Sequence, residues 1–128
     1  MSNIFMVGVD DSKINRLIYE EAAKLVAAEC LLAEDGQDAL NKINEVVKTG
    51  HIPTIIFTDI HMPNMNGIEL IEKLKANPKT KFIPIIVLTT ERDYEIKIQG
   101  KNFGAAGWIT KPLSPDEIAS VIKKFLKI

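Results

Sequence analysis

Thr54-Ile55-Ile56-Phe57-Thr58-Asp59-Ile60-His61-Met62-Pro63 is the stretch on which the fold turns. A run of β-branched and aromatic residues favours a strand. It delivers one carboxylate, Asp59, at its far end, and a loop bearing Pro63 and Asn64 follows at once. An acid there is held on a rigid strand yet opens to solvent. By itself Asp59 is either a reactive group or a turn residue bonded to the loop backbone.

Upstream, Leu40, Ile43, Val46 and Val47 recur at helical spacing and stop near Gly50. Glu34-Asp35-Gly36 turns the chain before them, and Cys30 to Ala33 reads as a strand. Farther back, Ile4-Phe5-Met6-Val7-Gly8-Val9 ends in Asp10-Asp11, a pattern suited to burial on both faces. Gly8 weakens that strand or marks a close approach by a neighbouring element. Ser12 is placed to cap a helix with its buried stripe expected at Ile14, Leu17, Ile18, Ala22 and Leu25.

Downstream, Asn66 with Glu69 forms a capping-box pattern, and Ile68, Ile71 and Leu74 supply a buried face. Asn77-Pro78 ends that helix. Phe82 to Leu88 is expected as a strand, with Pro84 near its start and Thr89-Thr90 at its end. Glu91 to Asn102 is expected as a helix with a thin apolar stripe. A short strand surrounds Trp108-Ile109, Lys111-Pro112 follows, and Ser114-Pro115-Asp116-Glu117 opens a helix that is expected to continue to Ile128. Five strands thus alternate with five helices. The fold predicted is α/β: a three-layer, doubly wound, flavodoxin-like parallel sheet of order 2-1-3-4-5.

The bulk composition agrees with one soluble domain over residues 1–128. Apolar residues make up 46% and charged residues 26%, and 16 basic against 17 acidic residues leave a net charge of −1. That balance carries no footprint for nucleic acid or an anionic membrane. No apolar run is long enough for membrane insertion, and there is no secretory leader pattern. The single cysteine, Cys30, excludes an internal disulfide and reads as a buried small hydrophobe. A cytoplasmic location is expected.

In a parallel sheet, chemistry gathers at the carboxyl ends of the strands. There the order 2-1-3-4-5 brings Asp10 and Asp11, Asp59, Thr89 and Lys111 to one rim. Carboxylates that close repel each other unless neutralised, and Mg²⁺ accepts a few of them while keeping waters. An Asp beside such a cation can become an aspartyl phosphate, with metal and lysine offsetting charge on the transferring group. Each residue also has an ordinary use: helix cap for Asp10 or Asp11, turn group for Thr89 and Lys111, packing aromatic for Trp108.

The set resembles the receiver domain of two-component response regulators, and most closely the small chemotaxis-type receivers. The resemblance spans essentially the whole chain. It rests on Val9-Asp10-Asp11-Ser12 with Asn15-Arg16, Asp59 with Met62-Pro63 and Met65-Asn66-Gly67, Leu88-Thr89, and Gly104-Ala105 through Trp108 to Thr110-Lys111-Pro112. It implies Asp59 as phosphoacceptor, with Asp10, Asp11, Asp59 and the carbonyl of His61 as ligands of Mg²⁺. Thr89 would be the switch hydroxyl, Lys111 the cation on the phosphoryl group, Trp108 the rotating aromatic, and Lys111-Pro112 a cis peptide. Trp108, Thr90 and Leu113 depart from the family's commoner residues.

The function so implied is a non-enzymatic signalling receiver that assists its own phosphorylation and dephosphorylation. Its partners would be a sensor histidine kinase and either a downstream protein target or a histidine phosphotransfer protein; a monomer is expected. Three rivals fit worse. The nearest is a receiver-like domain that is never phosphorylated, and the intact Asp10-Asp11 pair, Thr89 and Lys111 argue against it. A Mg²⁺-dependent phosphohydrolase of the haloacid-dehalogenase type has a second Asp two residues after its nucleophile, where this chain has His61. A nucleotide-binding domain needs glycines in the first strand–helix turn, which here holds Asp10-Asp11.

Overall fold

The apolar runs form the strands β1 (Phe5–Val9), β2 (Glu29–Ala33), β3 (Ile55–Thr58), β4 (Ile85–Thr89) and β5 (Gly107–Thr110). In the computed structural model residues 4–90, 104–111 and 114–128 are described, Thr89 by its backbone alone. The strands pair in parallel in the expected order β2-β1-β3-β4-β5. Among the described residues the helices are α1 (Lys13–Leu25), α2 (Gly36–Lys48), α3 (Gly67–Ala76) and α4 (Pro115–Leu126). The helix expected over 91–102 lies outside the described residues.

Every residue of β3 is buried, because the sheet is covered on both sides. Successive side chains alternate between two apolar layers. Ile56 joins Val7, Val9 and Val87 under Ile43 and Val47 of α2 and Leu70, Ile71 and Leu74 of α3. Ile55 and Phe57 join Met6, Ile86 and Leu88 under Tyr19, Ala22 and Ala23 of α1 and Ile118 and Ile122 of α4. The caps fall where the sequence places them. Ser12 accepts from the Asn15 amide, and full capping boxes form at Asn66/Glu69 and Ser114/Glu117.

Three expectations are corrected. Helix α1 is turned relative to its apolar stripe: Ile14, Leu17 and Leu25 are exposed, while Tyr19, Ala22 and Ala23 face the sheet. The reason lies in β1. A Cβ on Gly8 would stand 2.6 Å from the Tyr19 ring, so the missing side chain makes room for an aromatic, and the two alanines let the helix lie close. Strand β4 begins at Ile85, after Pro84, and Phe82 stands 84% exposed in the preceding turn. Helix α4 stops at Leu126, because Lys127 takes a left-handed conformation at φ 57°.

Candidate functional site

The two acids that follow β1 and β3 are set by the sheet ladder itself. The Asp10 amide still donates to the Ala33 carbonyl (3.1 Å), and the Asp59 amide to the Val9 carbonyl (3.0 Å). Both residues are therefore held as if on strands, while their side chains leave at the carboxyl rim. Lys111, the first residue after β5, reaches past the end of β4 to both of them. Its Nζ lies 2.5 Å from Asp10 Oδ2 and 3.1 Å from Asp59 Oδ2.

This corner is nearly closed to water: the side chains of Lys111 and Asp10 are 12% and 1% exposed. Burial alone pulls the Lys111 ammonium down, as the largest single effect, but bonds to and fields from Asp10 and Asp59 together outweigh it. Its pKa is therefore raised above the ordinary 10.5. The Asp10 carboxylate is otherwise satisfied from α1, with Oδ1 accepting from the Ser12 amide (2.9 Å) and Oδ2 from the Asn15 side-chain amide (3.3 Å). The Arg16 guanidinium donates to the Asp10 carbonyl (2.8 Å).

Asp11 lies beside them, exposed, and one carboxylate oxygen from each of Asp10, Asp11 and Asp59 falls within 4.8 Å of the others. Among the described residues three carboxylates gather around the Lys111 ammonium, with the Arg16 guanidinium held at the Asp10 carbonyl, so negative charge remains in excess. An all-oxygen donor set of that charge fits a hard divalent cation such as Mg²⁺.

The loop after Asp59 is tied down at several points. Asp59 Oδ1 accepts from the Ile60 amide (2.7 Å), and the Gly67 amide donates to the Ile60 carbonyl (2.8 Å). A Cβ at Gly67 would fall 2.0 Å from the Asp59 carbonyl oxygen, so only glycine permits α3 to start there. Across the loop, the Asn64 side-chain amide donates to Asp35 Oδ2 (2.8 Å) and the Gly36 amide to the Met65 carbonyl (3.0 Å). The Asp38 amide, with Asn64, holds the buried Asp35 carboxyl below its usual range. His61 is exposed within this tethered loop.

Of the residues singled out in the sequence, the structure brings Asp10, Asp11, Asp59 and Lys111 together. Thr89 ends β4, its backbone in register with Thr110. Trp108 is half-buried on the α2/α3 side of β5, in register with Val87. Pro112, and with it the geometry expected of Lys111-Pro112, lies outside the described residues. Cys30 is partly buried, and burial pushes its thiol up to about 11, as suits an unreactive cysteine.

One site residue had only an indirect signal in the sequence. Tyr19 is buried behind the acidic corner, and desolvation, then Asp10 and Asp59, raise its pKa well above 10. Gly8 was the clue to it.

The sequence pattern of the response regulator receiver domain matches residues 6–123. This chain belongs to that family, the receivers of two-component signalling. It is 38% identical over 119 residues to the phosphate regulon transcriptional regulatory protein PhoB of Pseudomonas aeruginosa, covering 93% of this chain and 50% of PhoB. Against Protein PilG of the same organism, identity is 36% over 115 residues, covering 90% of this chain and 82% of PilG. The structure of chemotaxis protein CheY4 of Vibrio cholerae superposes with a TM-score of 0.85 at 31% identity, over 96% of this chain and 98% of CheY4. The chain thus spans half the length of PhoB and most of the other two.

Proposed function

We propose that this receiver takes a phosphoryl group onto Asp59 from the phosphohistidine of a sensor histidine kinase, and that the modified form binds a downstream protein more tightly than the unmodified one. The bridging of Asp10 and Asp59 by the Lys111 ammonium at a carboxylate-rich rim carries this reading. In the transfer the P–N bond to the kinase histidine breaks as a P–O bond forms to an Asp59 carboxylate oxygen. Lys111 then has a phosphoryl oxygen within reach in place of Asp59 Oδ2, and offsets the charge that arrives.

Asp10, Asp11, Asp59 and the His61 carbonyl would hold Mg²⁺, which when bound supplies the positive charge that lets an anionic donor approach three carboxylates. Thr89 and Trp108 carry the change outward from the site, Thr89 from the end of β4 and Trp108 from the neighbouring strand. The response is a population shift: a partner reads the signal only as far as it prefers the modified state. Residues 1–128 act as one receiver domain, as a monomer in the cytoplasm, and with no enzymatic output beyond assistance to gain and loss of its own phosphoryl group.

Incubation with acetyl phosphate and Mg²⁺, read by intact mass, tests the acceptor. One added phosphoryl group is expected on the wild type and none on Asp59→Asn; an equal gain on the variant rejects the assignment.

A further inference from the structure

Two adjacent residues at the start of α2 do more than a helix start requires. An N-cap needs one side-chain oxygen, which serine or threonine also supplies. Asp35 uses Oδ1 for that task, accepting from the Asp38 amide (2.8 Å), and gives Oδ2 to the Asn64 side-chain amide across 29 positions of sequence (2.8 Å). Gly36 follows in a helical position, where glycine is a poor choice. Its amide donates to the Met65 carbonyl (3.0 Å), and a Cβ there would fall 2.5 Å from that same oxygen. Both residues thus serve the loop that follows Asp59, whose tip rests on α2 at Asn64 and Met65. At its base the loop is closed by the Gly67 amide on the Ile60 carbonyl.

We propose that Asp35 is a positioning residue for the ion site, acting through Asn64 to hold residues 61–65 in one arrangement before Mg²⁺ arrives. This role rests on the assignment of Asp10, Asp11, Asp59 and the His61 carbonyl to that ion. A carboxylate turns about its own side-chain bonds to meet a cation, whereas a main-chain carbonyl stands where its loop puts it. His61, Pro63 and Asn64 are exposed, so burial gives this segment little hold. Left unheld, it would be ordered at the moment of binding, and the conformational entropy lost would weaken the affinity. Asparagine tolerates the left-handed φ of 67° at position 64 and supplies the donor besides; glycine would meet only the first need.

Mg²⁺ is titrated into the full chain without phosphoryl donor, and its Kd is read from the amide shifts of Asp11, Asp59 and His61 by NMR, at a temperature where every variant is folded. Asp35→Ser keeps an oxygen for the Asp38 amide but none for Asn64, and Asn64→Gly keeps the backbone but loses the donor. Each is expected to raise Kd about fivefold, short of the roughly tenfold or more that follows loss of a partner bonded directly to a ligand. The double variant should bind no more weakly than either single one, because both remove the same bond. Thr80→Ala removes a buried bond to the Leu74 carbonyl (2.6 Å) beyond the far end of α3, and its Kd should match the wild type. An unchanged Kd in Asp35→Ser or Asn64→Gly overturns the proposal, as do additive losses in the double variant. A rise as large in Thr80→Ala also overturns it, since lost stability alone would then explain the effect. If the wild type binds no Mg²⁺, the ion assignment itself fails and the positioning role with it.

Discussion

The two rims of the sheet each carry a contact between a basic side chain and a carboxylate, and the two contacts differ in their relation to water. At the amino ends of the strands His51 Nε2 lies 2.9 Å from Glu29 Oε1, with the two side chains 46% and 61% exposed. The His51 ring also stacks on Phe5 at 4.1 Å between centroids. At the carboxyl ends Lys111 bridges Asp10 and Asp59 in a corner almost closed to solvent. Exposed pairs contribute about 0–1 kcal/mol, because water and salt screen them and two side chains must be held still. A buried pair is harder to justify by stability, since an apolar replacement is often as good or better. The amino-end pair trims a surface, whereas the carboxyl-end cluster suits a site whose charges answer to a ligand.

The largest effect should come from breaking the buried side of this contrast. Lys111→Met strands Asp10 without its cation and is expected to cost about 3 kcal/mol in urea unfolding at neutral pH. The same bond gives the wild type an alkaline limit. The folded pKa of Lys111 is raised above 10.5, so its contribution is whole below that pH and fades as pH rises through the folded value. A wild-type stability profile that stays flat through this range, in step with Lys111→Met, would remove the basis for the contrast.

Next in size is packing between the rims. Gly8→Ala presses a Cβ to 2.6 Å from the Tyr19 ring and should cost about 2 kcal/mol, read as a lowered melting temperature. Loop tethering at the carboxyl end ranks third. Asn64→Gly keeps the positive φ of 67° but loses the bond to Asp35, for about 1 kcal/mol. Asp35 has a lowered pKa, so its contribution holds above the ordinary 3.8 and is lost as pH falls through the folded value. Urea curves of Asn64→Gly and wild type should therefore converge in acid. The smallest effect belongs to the amino-end rim, where Glu29→Gln should shift stability by less than about 0.5 kcal/mol, and less still at high salt.

Much of the acidic corner was legible in the chain because parallel sheets give a local rule: an acid just after an apolar run stands on the carboxyl rim. Asp10 and Asp59 follow that rule, Lys111 stands in the same place after β5, and the caps at Ser12, Asn66 and Ser114 follow the equally local rule for helix starts. Helix α1 shows where the rule for helices fails. Its apolar residues Ile14, Leu17 and Leu25 have the spacing of a buried stripe, yet the face that packs is chosen by Tyr19 fitting over Gly8. Phe82 misleads in the same way: its hydrophobicity suits a strand, but it stays outside β4, and its ring meets the Lys81 ammonium at 5.0 Å instead.

The sequence by itself determined the alternation of strands and helices, their caps, and which charged residues stand at strand ends. Those features depend on neighbours a few residues apart, and local backbone preference and burial period are enough to set them. Tertiary structure alone decided that Lys111 meets Asp10 across 101 positions, that Asn64 holds Asp35 across 29, and that Tyr19 lies behind both acids with its hydroxyl unpaired. Contacts of that span form only when the sheet order and the close packing of α1 are in place, and no local period in the chain encodes them.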